Sequence, residues 1–187
     1  MKKLKIDFRL GTLALIILLA ALSRLIPHPP NFAPIGAMAL FGATYFAQRH
    51  LSFLIPIIGM WLSDLVLNNV IYGQYFDHFV WFYDGFYFTY GAFILIGLVG
   101  FLLLKNVKVQ TVVIGSFSAS ILFFLISNFG VWFSGTMYPK DLNGLMACYT
   151  AAIPFFKNTL MGDLVYCGVL FGSFELAQTR IPALKTA

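Results

Sequence analysis

Apolar residues along this chain gather into six long blocks, divided by short connections that carry the charges, prolines and amides. Taken as helices, the blocks fall near residues 10–27, 34–48, 51–71, 85–104, 109–133 and 150–179. A membrane-crossing helix needs about 20 mainly apolar residues, so the pattern predicts an all-α integral membrane protein, a bundle of about six transmembrane helices in a single domain over residues 1–187. The second block is short for a span, which leaves a tilted or partly re-entrant segment open there.

Composition narrows the picture further. Only 10% of residues are charged and 60% are hydrophobic, too few charges to cover the surface of a water-soluble domain. The net charge of +5 does not point to nucleic acid, because the basic residues lie at helix ends and not along a phosphate-tracking stretch with interleaved aromatics. With the N-terminus in the cytoplasm, Lys2, Lys3, Lys5, Arg9, Arg49, Lys105, Lys108, Arg180 and Lys185 fall on the inner side, leaving Arg24, Lys140 and Lys157. The positive-inside rule then predicts a multi-pass protein of the cell inner (cytoplasmic) membrane with both termini cytoplasmic. A signal-peptide reading of the basic N-terminus and the Leu10–Leu22 run is the alternative for the first block. Cys148 and Cys167 are about 25 Å apart along a helix and are not expected to pair.

Three loops then face outward, at residues 24–34, 72–85 and 134–149. The first is stiffened by prolines, which lowers the entropy lost in holding His28 and Asn31. The second is dense in aromatics, among them Trp81. Such loops suit recognition of something outside, and equally an interfacial aromatic belt.

Ionisable groups inside a span cost about 2.5–3.5 kcal/mol on insertion scales and are functional candidates by default. Here these are Arg24, Asp64, Lys157 and Asp163; their mutual neutralisation across helices is the alternative. Asp64 with Asn68, and Asn128 with Trp132, share helix faces at a spacing of four. Together with Asn158, Tyr138 and Tyr149, convergence of the third, fifth and sixth helices would line an outward pocket for a small solute. Ile55-Pro56 before Ser63-Asp64 and Ile153-Pro154 before Gly162-Asp163 form a faint internal echo, of the kind seen in inverted repeats. Ala39, Ala43 and Ala47 give a small-residue stripe suited to internal packing or to docking of a partner.

The string Ser23-Arg24-Leu-Ile-Pro-His28-Pro-Pro-Asn31-Phe32-Ala-Pro34-Ile35-Gly36-Ala37, then Leu40-Phe41-Gly42 and Ser63-Asp64, resembles an uncharacterised bacterial family of membrane transport proteins. Ser127-Asn128-Phe129-Gly-Val-Trp132, Tyr138-Pro139, Gly144-Leu145, Cys148-Tyr149 and Ile153-Pro154-Phe155-Phe156 extend the resemblance over nearly the whole chain. That family in turn is similar to the substrate-binding S components of energy-coupling-factor (ECF) vitamin transporters. The resemblance implies a six-helix protein that binds a vitamin or vitamin precursor in the outer half of the membrane. It also implies docking through the Ala39, Ala43 and Ala47 stripe on a transmembrane coupling subunit with ATPases, although S components carry such a stripe on their first helix and some act alone.

The expected partners are therefore membrane lipid, a small-molecule solute and an ECF-type coupling subunit, with no nucleic acid. No catalytic constellation, resident metal or cofactor is read from the chain, and no Walker loop occurs. Cobalamin is one ligand the donors admit, with Cys148 or His28 on cobalt. Two competing readings are a structural or scaffolding subunit, and an intramembrane aspartyl enzyme in which Tyr83-Asp84 and Gly162-Asp163 would supply the paired carboxylates.

Overall fold

A computed structural model describes residues 8–185. Among them are six helices: α1 (Phe8–Ser23), α2 (Ile35–Tyr45), α3 (Arg49–Val66), α4 (Phe86–Leu103), α5 (Val109–Ser134) and α6 (Leu142–Arg180). A π-helical turn, Leu67–Ile71, prolongs α3, and its register is marked by the Tyr72 N–H donating to the Leu67 carbonyl at 2.8 Å. With that turn, Arg49–Ile71 joins α4, α5 and α6 as the four helices long and apolar enough to cross a membrane. Their outward faces are lined by exposed Leu54, Ile58, Leu95, Leu98, Ile114, Phe117 and Ile121. An apolar exterior of this extent belongs in lipid, and the protein is built as a membrane protein.

The second block differs most from expectation. At 11 residues, α2 rises only about 16 Å and does not span; it is the buried hub, packed against each of the other five helices. Its sequence, Ile-Gly-Ala-Met-Ala-Leu-Phe-Gly-Ala-Thr-Tyr, carries no charge, and a helix apolar on every side is a core helix. Small residues set the close approaches. A β-carbon on Gly42 would lie 2.7 Å from the Ser52 carbonyl, which Pro56 deprives of its usual donor four residues on. A β-carbon on Gly100 of α4 would lie 2.8 Å from that of Ala43. Ala39 and Ala43 are therefore buried internal packing, not a docking face, and Ala47 lies beyond the end of α2, exposed.

α6 also departs from its expected bounds. It begins at Leu142 and runs for 39 residues, because the Asp141 carboxylate accepts the Gly144 N–H at 2.8 Å and caps the first turn. The third loop shrinks to residues 135–141, and Tyr149 belongs to the helix. α1 ends at Ser23, short of the proline-rich segment.

The two ends of the described chain meet at one end of the bundle. Arg9 Nε donates to the Leu184 carbonyl at 2.8 Å, and Tyr45 at the close of α2 donates to Glu175 of α6 at 2.5 Å. The proline-rich loop 24–34 closes the opposite end.

Candidate functional site

Arg24, the first residue after the α1 helix, turns inward onto α3. Its Nη2 lies 2.7 Å from Asp64 Oδ1, and its Nη1 donates to Ser63 Oγ at 2.5 Å and to the Met60 carbonyl at 3.3 Å. Tyr90 of α4 donates to the other Asp64 oxygen at 2.8 Å. The carboxylate is buried, and a buried charge persists only when paired and hydrogen-bonded. Of the two positive and two negative candidates, only this pair forms an ion pair among the described residues.

Asp163 finds a different partner. The N-terminus of α2 is buried, and its preceding Pro34 supplies no side-chain cap, so its first N–H groups need an acceptor from elsewhere. Asp163 of α6 accepts from the Gly36 and Ala37 backbone and, at 2.7 Å, from Ser120 of α5. The positive end of the helix dipole and these donors hold the carboxylate without a counter-cation. Gly36 is required here, since its β-carbon would come within 2.5 Å of Asp163 Oδ1.

The two buried carboxylates thus hold the two ends of one segment. Asp64 grips Arg24, where loop 24–34 begins, and Asp163 grips Gly36 and Ala37, just past where it ends. Between them the loop lies on α6. Asn158 Nδ2 donates to the Pro30 carbonyl at 2.9 Å, Phe32 tilts against Tyr166 with ring centroids 5.8 Å apart, and Gly162 leaves room for the Ala33 backbone. Asn31 sits at φ 64°, a left-handed conformation that asparagine tolerates better than most side chains.

Beneath this strap is a cavity of about 170 Å³, whose polar lining comes from Arg24, His28, Asn31, Tyr72, Thr159 and Asp163, with Leu67 and Phe123 among its apolar walls. Leu67 and Tyr72 stand at either end of the π turn, a distortion that often marks functional sites in helices. Arg24, His28, Asn31 and Asp163 come together on this one void, and Asp64 joins them through Arg24.

The other expected residues lie elsewhere. Helix α3 packs on α1, α2 and α4, and α2 stands between it and the α5–α6 pair, so the expected meeting of the third, fifth and sixth helices is replaced by convergence on α2. Asn128 bonds back to the Phe124 carbonyl of its own helix at 2.7 Å. Trp132 donates to the Pro139 carbonyl at 2.8 Å, while Lys140 sits over the Trp132 ring and donates to the Trp132, Phe133 and Gly135 carbonyls. That cluster closes the α5–α6 turn, and Tyr138 is part of the same turn. Tyr149 donates to the Leu125 carbonyl at 2.5 Å. Lys157 is exposed on α6, and Asn158 holds the strap without lining the cavity. Trp81 is exposed and stacks on Trp61 with centroids 6.4 Å apart, the arrangement of an interfacial belt. Among the described residues Asn68 makes no comparable contact; its neighbour Asn69 fastens the second loop instead, accepting the Val80 N–H at 2.6 Å and donating to the Val80 carbonyl at 2.9 Å.

Sequence reasoning missed Thr159, Ser120, Tyr90, Ser63 and Gly36. Hydroxyls and glycines are ordinary in membrane helices and carry no signal until a partner is known.

A second cavity, about 360 Å³, lies between α4 and α5 and is rimmed by Tyr83, Asp84, Thr89, Ser127, Ser134 and Thr136. Burial pushes the Tyr83 phenol up to about 12; the Asp64 charge adds to this, while Thr89 and Arg24 oppose it. Asp84 lines this cavity and Asp163 the other, so the pair shares no common site as an aspartyl enzyme would need. Cys148 is buried with its thiol toward the Asn128 carbonyl, and it does not line the cavity with His28. Among the described residues, no three His, Cys, Asp or Glu side chains are grouped as metal ligands.

A family model described as "Family of unknown function (DUF6580)" matches residues 4–184. No curated protein and no solved structure matches the chain.

Proposed function

The chain belongs to the family of unknown function DUF6580, and we propose that it is a transport protein of the cytoplasmic membrane that captures a small polar solute in the cavity beneath loop 24–34. The observation that carries this reading is the cavity itself: Arg24, His28, Asn31 and Thr159 offer hydrogen-bonding groups of differing character on one small void, about 170 Å³. Concave sites with a few placed polar groups are the usual form of small-molecule recognition.

The volume limits the ligand. It is below the roughly 300–1,000 Å³ of drug-sized sites, so the closed strap accommodates a compact solute. A vitamin or vitamin precursor, as the resemblance to S components implies, requires loop 24–34 to lift from α6. Capture would then be entry from the loop side, closure of the strap across Asn158, and release towards the end where the chain's described ends meet. An energising coupling subunit, if there is one, docks on a face other than Ala39 and Ala43.

One observation favours a second reading, a structural subunit without a solute. Asp64 and Asp163 both have internal partners that account for their burial. Purifying the full chain from its host in mild detergent and identifying co-purified small molecules by mass spectrometry separates the two. A solute that raises the melting temperature of the native chain, and is lost on Asn31→Ala or His28→Ala, supports transport. Absence of any such compound, with no thermal shift from host metabolite extracts, supports the structural subunit.

A further inference from the structure

A void larger than the solute cavity lies away from it. It is a groove of about 410 Å³ between α5 and α6, at the end of the bundle where Arg9 meets Leu184, and its walls are Val109, Val112, Val113, Leu164 and Phe171. Its floor is open because of two glycines at a spacing of four. A β-carbon at Gly168 or Gly172 would meet nothing within 4 Å. Two charged residues border it. Glu175 is engaged by the Tyr45 hydroxyl at 2.5 Å, whereas Lys108 is exposed and has no carboxylate in ion-pair reach among the described residues.

We propose that this groove is a site for one anionic phospholipid, with an acyl chain laid between α5 and α6 and the headgroup phosphate against Lys108. Two features choose this occupant. From Lys108 to Ser116 the groove follows α5 for about 12 Å, close to the roughly 15 Å depth of one leaflet's hydrocarbon. Lys108, the cation among the lining residues, stands at the polar end of the apolar trough, where a phosphate would lie, and a lysine at that depth favours anionic lipid.

The test is native mass spectrometry of the full chain released from nanodiscs of phosphatidylcholine alone or mixed with phosphatidylglycerol. The expected result is one retained phosphatidylglycerol per chain, in preference to phosphatidylcholine. Lys108→Gln is expected to lower that preference about fivefold while a lipid is still retained. Gly172→Leu, placed where a β-carbon meets nothing within 4 Å, is expected to fill the trough and abolish retention of either lipid. Should Gly172→Leu not fold, Val113→Trp blocks the same trough from the α5 side. Retention of no lipid, equal retention of both, or a dimer that Gly172→Leu dissolves would each overturn the proposal.

Discussion

Asp163 and Gly36 are in contact because each supplies what the other's helix lacks. The carboxylate on α6 receives the N–H groups that Pro34 leaves uncapped at the start of α2, and the glycine leaves the space for it to do so. Removing either side of this contact has a calculable direction. Asp163→Ala leaves buried donors unsatisfied and is expected to cost about 2–4 kcal/mol, combining a lost cap with desolvated N–H groups. Asp163→Asn keeps one acceptor oxygen and is expected to cost less. Gly36→Ala forces a methyl group into the carboxylate and should destabilise by about 1–3 kcal/mol. Melting temperatures in a single detergent check all three, and an unchanged Gly36→Ala would mean that α2 and α6 do not meet as described.

Arg24 and Asp64 make the corresponding joint at the other end of the strap. Truncating one member of a buried ion pair leaves the other uncompensated, at about 3–5 kcal/mol, whereas replacing both with apolar residues of similar size is far less costly. Arg24→Met and Asp64→Leu are therefore each expected to be strongly destabilising alone and to recover much of the loss together. A double-mutant cycle read by chemical denaturation gives the coupling, and additive losses would show that the pair does not act as one unit.

Loop 24–34 explains how far the sequence could be read. Arg24, Asp64 and Asp163 stand out from the chain alone, since charge inside lipid is costly, and all three border or brace the cavity. Their partners do not stand out. A carboxylate that caps a distant helix leaves no residue-type signature at the receiving end beyond a glycine, and Gly36 sits among several small residues. The amides misled for a physical reason: Asn128 at mid-helix satisfies itself on its own backbone four residues earlier, the common fate of such side chains. For the helices, the blocks at 85–104 and 109–133 coincide with α4 and α5 to within one residue at each end, because each is one long, predominantly apolar run between polar connections. The sixth block is expected from residue 150, whereas α6 begins at Leu142, because Asp141 just before it is an ordinary N-cap. The stripe of Ala39 and Ala43 was ambiguous in isolation. Only the large apolar residues around the rest of α2, Met38, Leu40 and Phe41, show that every side is covered.

Trp132 offers a direct check on which aromatic residues matter for solute capture. Its indole N–H and its ring are occupied by Pro139 and Lys140 at the α5–α6 turn. Lys140→Met is expected to lower stability by about 1 kcal/mol, through lost hydrogen bonds to backbone carbonyls, while leaving binding of any co-purified solute unchanged. Thr159→Val, which alters the cavity wall itself, should weaken binding with little effect on stability. The reverse outcome, binding lost with Lys140→Met and kept with Thr159→Val, would move the site to the second or third loop.

The orientation of the bundle decides which side the cavity faces, and lysine and arginine placement makes that testable. Arg9, Arg49, Lys105, Lys108 and Arg180 gather at one end, and loop 24–34 with the α5–α6 turn closes the other. Positively charged connections are retained in the cytoplasm during insertion, so the strap is expected to face outward. Met137 in the α5–α6 turn and Asn106 in the α4–α5 connection are both exposed, whereas Cys148 and Cys167 are buried and contribute little background. In intact cells a membrane-impermeant maleimide is expected to label Met137→Cys at once and Asn106→Cys only after permeabilisation. Labelling in the opposite order would turn the cavity towards the cytoplasm, and with it the direction in which a solute is received.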